Sequence, residues 1–127
     1  MQVTVCARYR RAKLPMIARA VTIMLVSIGS ARAADPLRFW NLTGETVSSL
    51  TLAPAGTGNF GANQCANDKD GEIDNDERLR LTNVTAGHYD VRVGFKKGRM
   101  CEAHDVTLKP AGKYAFSLEQ KDLKDCK

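Results

Sequence analysis

Gly87-His88-Tyr89-Asp90-Val91-Arg92-Val93-Gly94-Phe95 is the stretch that decides the fold class. Tyr89, Val91, Val93 and Phe95 alternate with His88, Asp90, Arg92 and Gly94. A period of two marks a strand with one buried and one wet face. Its apolar members are aromatic or β-branched, the types that pack well on a pleated, half-buried surface. The stretch therefore reads as a central strand of a small antiparallel β-domain.

Working outward, the same period recurs on both sides. Upstream, Thr85-Ala86-Gly87 is turn material, and before it Leu79 and Leu81 alternate with Arg80 and Thr82 in a strand over 78–84. Downstream, Lys96-Lys97-Gly98 turns into a strand over 100–108 with Val106 and Leu108 at its apolar end. Pro110-Ala111-Gly112 turns again, and 113–119 places Tyr114, Phe116 and Leu118 inward, with Ala115 and Ser117 outward. At the start of the domain 37–43 is rich in strand formers; either Leu37 with Phe39 or Trp40 with Leu42 can face the core. Thr43-Gly44-Glu45 leads into a strand over 46–53 with Leu50 and Leu52 on one face, so the first two strands are predicted to form a hairpin. Between 54 and 76 the chain is irregular, with Phe60 as the expected anchor to the core, and 120–127 is a charged tail with room for one helical turn. Short strands with turns at such intervals predict an all-β fold, a small antiparallel β-sandwich or open barrel of about six to seven strands.

The first third of the chain differs in composition. Arg8, Arg10, Arg11, Lys13 and Arg19 precede an apolar run over 20–28, and Ala31-Arg32-Ala33 follows. A basic region, a short apolar core and small residues before a cleavage point define a secretory signal peptide. The apolar run falls short of the roughly 20 residues that span a bilayer. Residues 1–33 are read as the leader, cleaved after Ala33, and 34–127 as a single β-domain with a charged tail. Arg10-Arg11 lacks the flanking pattern of a twin-arginine signal, so the general export route is expected, with a periplasmic or secreted product.

Removing the leader changes the electrostatics. The whole chain has 19 bases and 14 acids, net +5. Six bases and no acid lie in 1–33, which leaves 13 bases against 14 acids, net −1, in the 94 residues that follow. The basic balance thus belongs to the leader and gives no ground for nucleic-acid binding. No membrane association is expected after cleavage.

A domain of this size buries a modest core and gains from a covalent staple. Cys6 lies in the leader; Cys65, Cys101 and Cys126 remain, enough for one disulfide and one thiol in an oxidising compartment. If the last two strands form a hairpin, the tail can fold back and place Cys126 beside Cys101. Cys101–Cys126 is the predicted bond, with Cys65 free or buried; the alternative joins Cys65 to one of the other two.

Phe39-Trp40-Asn41-Leu42-Thr43-Gly44, Leu50-Thr51-Leu52-Ala53-Pro54-Ala55-Gly56, Phe60-Gly61 and Tyr89-Asp90-Val91-Arg92-Val93 together resemble a group of small exported proteobacterial proteins of unknown function. That group shows an Asn-x-Thr-Gly start, a Trp-Gly and a Tyr-Asp-Leu-Arg. Phe60 stands here in place of the Trp, and Gly87 and Lys109 stand near the places of the group's two cysteines. The resemblance implies a periplasmic β-sandwich and carries no activity.

Two places could carry chemistry. The first is the acidic loop Asn67-Asp68-Lys69-Asp70-Gly71-Glu72-Ile73-Asp74-Asn75-Asp76-Glu77. Calcium takes six to eight oxygens, which close carboxylates around a turning glycine can supply. With Gly71 at the sixth place of an EF-hand loop, Asp68, Asp70, Asp74 and Glu77 fall at ligand places, while Ala66 occupies the first, where a carboxylate is needed. Asp68, Asp70, Asp74, Asp76 and Glu77 are the candidate calcium ligands; the alternative is a solvated acidic turn with Arg78 or Arg80 as counter-ions. The second place is the pair of histidines. Cys101 and His104 lie three apart and point to opposite faces of a strand, so they make no metal pair. His104 adjoins Asp105, which faces the other way, so the two make no ready dyad; His88, Asp90 and Arg92 share a face and read as a solvated polar row, so no catalytic dyad is expected. Asn41-Leu42-Thr43 and Asn83-Val84-Thr85 match the glycosylation sequon, which carries no weight behind a bacterial leader.

These residues argue for a non-catalytic exported module that binds another envelope protein through a sheet face or edge. No cofactor is expected other than calcium, which in the alternative reading would stabilise the module through the acidic loop.

Overall fold

A computed structural model describes Gly29 and residues 35–127; the predicted leader, Gly29 apart, and its cleavage point lie outside the described residues. Six strands form two three-stranded sheets: β1 (Arg38–Leu42), β2 (Val47–Pro54), β3 (Arg78–Arg80), β4 (Gly87–Phe95), β5 (Met100–Leu108) and β6 (Phe116–Glu119). One sheet has the order β3-β1-β6 and the other β2-β4-β5. Their inner faces share one core, Phe39, Leu79, Phe116 and Leu118 from the first against Leu50, Leu52, Val91, Val93, Phe95, Cys101, Ala103 and Leu108 from the second. The all-β sandwich expected from the alternation is therefore the fold. β4 is the central strand of its sheet, as its pattern requires, with Val91, Val93 and Phe95 buried and Tyr89 packed against the core.

Strand pairing is where the structure departs from expectation. The first two strands are no hairpin: β1 pairs antiparallel with β3 and parallel with β6, while β2 pairs antiparallel with β4. The connection at Gly44, whose φ is +82°, carries the chain from one sheet to the other. The second inward place of β1, after Phe39, is taken by Asn41 and not by a hydrophobe. Its backbone bonds to the 76–77 segment: Asn41 N–H donates to Glu77 O at 2.9 Å, and Asn41 O accepts from Asp76 N–H at 2.7 Å. The last two strands are likewise no hairpin, since β6 lies beside β1 and not β5. Alternation specifies which side chains are buried; it does not specify which strands pair.

Two inward assignments also change. Ala115 is buried and Tyr114 exposed, because 110–114 bends and regular strand begins only at Phe116. Tyr114 instead packs on Trp40, ring centroids 5.0 Å apart, on the outer face of β1. Phe60 is no core anchor: its ring lies 4.0 Å beneath the guanidinium of Arg92, on the outer face of β4.

The chain itself covers the edge at β2, the segment beyond β3 and the start of β5. Along β2, Val47 and Ile73 exchange both backbone bonds, Asn63 Oδ1 accepts from Leu50 N–H at 3.0 Å, and Gly61 N–H donates to Leu52 O. Beyond β3, the side-chain amide of Gln64 stands in for a strand: it accepts from Thr82 N–H at 2.9 Å and donates to Thr82 O at 3.1 Å. Gln64 opens the short 3₁₀ turn Gln64–Asn67, whose Asn63 cap accepts from Cys65 N–H. Along β5, Glu102 and Lys124 exchange backbone bonds, as do Met100 and Lys127, so the tail lies as an added strand at the end of the sheet. A single 3₁₀ turn, Gln120–Asp122, redirects the chain toward that edge. The covered stretches offer no template for pairing with another chain.

Candidate functional site

The acidic loop is held from within. Ile73 is fully buried, and its bridge to Val47 pins the middle of the loop to β2. Four of the five candidate carboxylates already accept protein hydrogen bonds. Asp68 Oδ2 accepts from Asp70 N–H at 2.9 Å, which closes the turn at Gly71. Asp74 Oδ1 accepts from Thr46 Oγ1 at 2.8 Å, Asp76 Oδ1 from Trp40 Nε1–H at 2.9 Å, and Glu77 Oε2 from Asp74 N–H at 2.9 Å. Asp70 is exposed. Glu72 reaches across to Lys96 at 2.9 Å. The counter-charges are thus Lys96 and local N–H groups, while Arg78 lies over the face of Trp40, 4.3 Å from its centroid.

The organiser of this region is Asn41, a residue whose spacing signals nothing. It is fully buried, and its Nδ2 faces Glu45 O, Ile73 O and Asp74 O at 2.8, 2.9 and 3.1 Å. Its Oδ1 accepts from Thr43 N–H and Thr43 Oγ1. The Asn-x-Thr-Gly segment is therefore a structural knot. Asn41 and Thr43 tie the crossover between sheets to the acidic loop, and Gly44 supplies the left-handed turn.

Cys101 and Cys126 are joined by a disulfide, with Cα atoms 4.0 Å apart. The pairing is the expected one, although the route differs: the tail reaches β5 along its open edge and not through a hairpin with β6. Cys65 is a free thiol with no exposed surface. Burial first, and the carboxylates of Asp68 and Glu72 second, push its pKa up to about 11, which holds it as the inert thiol.

The histidines lie on the outer face of the β2-β4-β5 sheet. A bulge separates the pairs Tyr89–Val106 and Val91–Ala103, so Asp90 stands opposite both His104 and Asp105. Asp105 has φ +51°, and its N–H donates to Asp90 Oδ1 at 3.0 Å. Gly56 N–H donates to the other oxygen, also at 3.0 Å. These two backbone donors, Asp105 the stronger, hold the Asp90 carboxyl below the usual carboxylate range. The extra residue also resets the alternation of β5, which is why Cys101 and Ala103 point inward before the bulge and Val106 and Leu108 after it.

The bulge joins groups that simple alternation keeps apart. His88 Nδ1 lies 2.9 Å from Asp105 Oδ1, and His104 Nδ1 lies 3.6 Å from Asp90 Oδ1. On its other side His104 Nε2 is 2.9 Å from Asp125 Oδ2 and 3.7 Å from Glu102 Oε2. The bond to Asp125 leads the effects that raise the His104 pKa, with Asp90 and Glu102 adding to it. Glu102 gives its other oxygen, Oε1, to Arg92, which binds it through Nε at 3.0 Å and Nη2 at 2.8 Å. Among the described residues, Glu102, His104 and Asp125 are the one group of three that sets ligand-type atoms within 4.8 Å of one another; the acidic loop makes no such group. Sequence spacing hides this cluster, since 21 positions separate His104 from Asp125. A signal was present all the same: Glu102 and Asp125 each adjoin one of the bonded cysteines.

The hollows are several and shallow. One of about 500 Å³ lies beside the ends of β1 and β3, lined by Pro36, Leu37, Leu81, Val84, Ala86 and Pro110 among others. It is the most apolar of them and lies away from both the acidic loop and the histidines. Among the described residues no helix is long and apolar enough to cross a membrane. In comparisons with known proteins, no family model, no curated protein and no solved structure matches the chain.

Proposed function

We propose that the chain is an exported, non-catalytic binding module of the bacterial envelope, periplasmic once its leader is removed. The observation that carries this reading is the apolar hollow at the ends of β1 and β3, where Pro36, Leu37, Val84 and Pro110 line a concave surface. A small set of apolar side chains in a concavity suits an inserted side chain of a protein partner. The acid–base groups fit a structural role better than a catalytic one. His88 and Asp105 are 63% and 75% exposed, and their contacts are with each other and with Thr107. An oxyanion hole or proton relay gains its strength from exclusion of water, which such exposure denies it. The resemblance to small exported proteobacterial proteins and the basic, then apolar leader support the location.

The test is a pull-down from periplasmic extract with the mature chain and with Val84→Glu, which puts a charge into the hollow. The expected result is an envelope protein retained by the parent and lost by the variant. A hydrolytic activity in the purified protein that disappears with His88→Gln would overturn the reading.

A further inference from the structure

We propose that Glu102, His104 and Asp125 bind a divalent transition-metal ion of the zinc type, at the point where the tail joins β5. The inference is independent of the partner reading, since the hollow beside β1 and β3 shares no residue with it.

The donor set is one imidazole nitrogen and two carboxylate oxygens, a combination that suits borderline cations and not the all-oxygen shell calcium prefers. Zinc–nitrogen and zinc–oxygen bonds of about 2.0–2.2 Å put ligand atoms about 3.3 Å apart on a tetrahedron. His104 Nε2 stands 2.9 Å from Asp125 Oδ2 and 3.7 Å from Glu102 Oε2, either side of that spacing. Small side-chain adjustments would seat an ion.

The atoms around the three ligands are disposed as a metal site requires. The free nitrogen of His104, Nδ1, lies 3.6 Å from Asp90 Oδ1, so a small rotation of the ring would make the hydrogen bond that fixes the tautomer of a ligating imidazole. Asp90 in turn is held by two backbone N–H groups that do not depend on the ion. Arg92 occupies Oε1 of Glu102 and orients the side chain so that Oε2 remains for a cation. The disulfide clamps the residues next to Glu102 and Asp125, and the backbone exchange between Glu102 and Lys124 sets their register. Asp125 takes φ +47°, which an aspartate or asparagine accommodates. A hollow of about 300 Å³ lined by Arg92, Met100, Glu102, Asp125 and Lys127 leaves room for water to complete the shell.

Charge agrees. Three carboxylates, Asp90, Glu102 and Asp125, meet around a single imidazole, and Arg92 is bonded to one of them, Glu102. A divalent ion would balance the two negative charges that Arg92 leaves.

The experiment is calorimetric titration of the folded, oxidised mature protein with zinc chloride, read beside the ¹⁵N-coupled imidazole spectrum. The chain has only two histidines, His88 and His104, so the spectrum is assignable with one variant. The expected result is one zinc per chain, with the His104 imidazole shifted and His88 unmoved. His104→Gln and Asp125→Asn should each weaken binding about tenfold or more, and His88→Gln and Asp70→Asn should leave it unchanged. If His104→Gln fails to fold, Asp125→Asn and the parent spectrum decide. No saturable binding at millimolar zinc, binding that survives Asp125→Asn, or a shift confined to His88 would each overturn the site.

Discussion

Asn41 shows how much a single side chain can organise. Its amide meets three carbonyl oxygens, and its oxygen meets two donors on Thr43, all in a fully buried position. A buried polar group left without its partner costs about 1–3 kcal/mol. Asn41→Ala strands several at once, so a loss of about 2–4 kcal/mol in urea unfolding is expected. Asn41→Asp keeps the shape but offers an anion to three carbonyl oxygens, and should be at least as damaging; equal stability of that variant would refute the role of the amide hydrogens. Cys65 makes the complementary case. With a pKa near 11 and no exposed surface, it should resist alkylation in mildly alkaline buffer while the protein is folded and react fully in denaturant. Fast labelling of the native protein would show that the site opens locally. Neither residue was legible in this role from the sequence, because one buried asparagine and one unpaired cysteine carry no period.

At the scale of elements, the bulge in β5 reconciles an apparent fault in the pattern. Cys101 and Ala103 are one parity, Val106 and Leu108 the other, and only an extra residue lets both pairs face inward. Asp105→Gly should cost little, since glycine accepts φ +51°, whereas deletion of Asp105 turns Val106 and Leu108 outward and should abolish cooperative unfolding by circular dichroism. A deletion variant that melts like the parent would show that the register can slip without loss. The acidic loop answers a second question. Its carboxylates are turned onto Thr46, Trp40 and main-chain N–H groups and form no common ligand cluster, so the melting temperature should be unchanged in millimolar calcium. Saturation at about 100 times the dissociation constant would add about 2.7 kcal/mol, and a rise of that kind would mean the ion displaces those donors. Strand positions were legible because burial on one face imposes a period of two. Pairing was not, because the information lies in the crossover at Asn41–Gly44 and in side chains such as Gln64 that mimic a strand, and these have no periodic signature.

For the whole molecule, the disulfide is the principal covalent constraint. It closes a loop of 25 positions and fixes the tail as the last strand of the β2-β4-β5 sheet. The chain-entropy estimate for such a loop is roughly 3–4 kcal/mol, a large share of the 5–15 kcal/mol typical of a domain. Replacement of Cys101 and Cys126 by alanine should lower stability by about that amount in denaturant titrations. A double variant as stable as the parent would show that backbone pairing alone holds the tail. The zinc affinity of that variant should fall too, because Glu102 and Asp125 lose the clamp beside them.

The parallel pairing of β1 with β6 has a consequence for the order of events in time. The first strand of the domain finds one of its two neighbours only when the last has been made, as Leu42 lies opposite Glu119. Contacts so distant along the chain make folding slow, because a long loop must close before they contribute. The first sheet therefore stays incomplete until almost the whole domain is available, and the same topology that delays folding at the start secures β1 and β6 against each other once it is done.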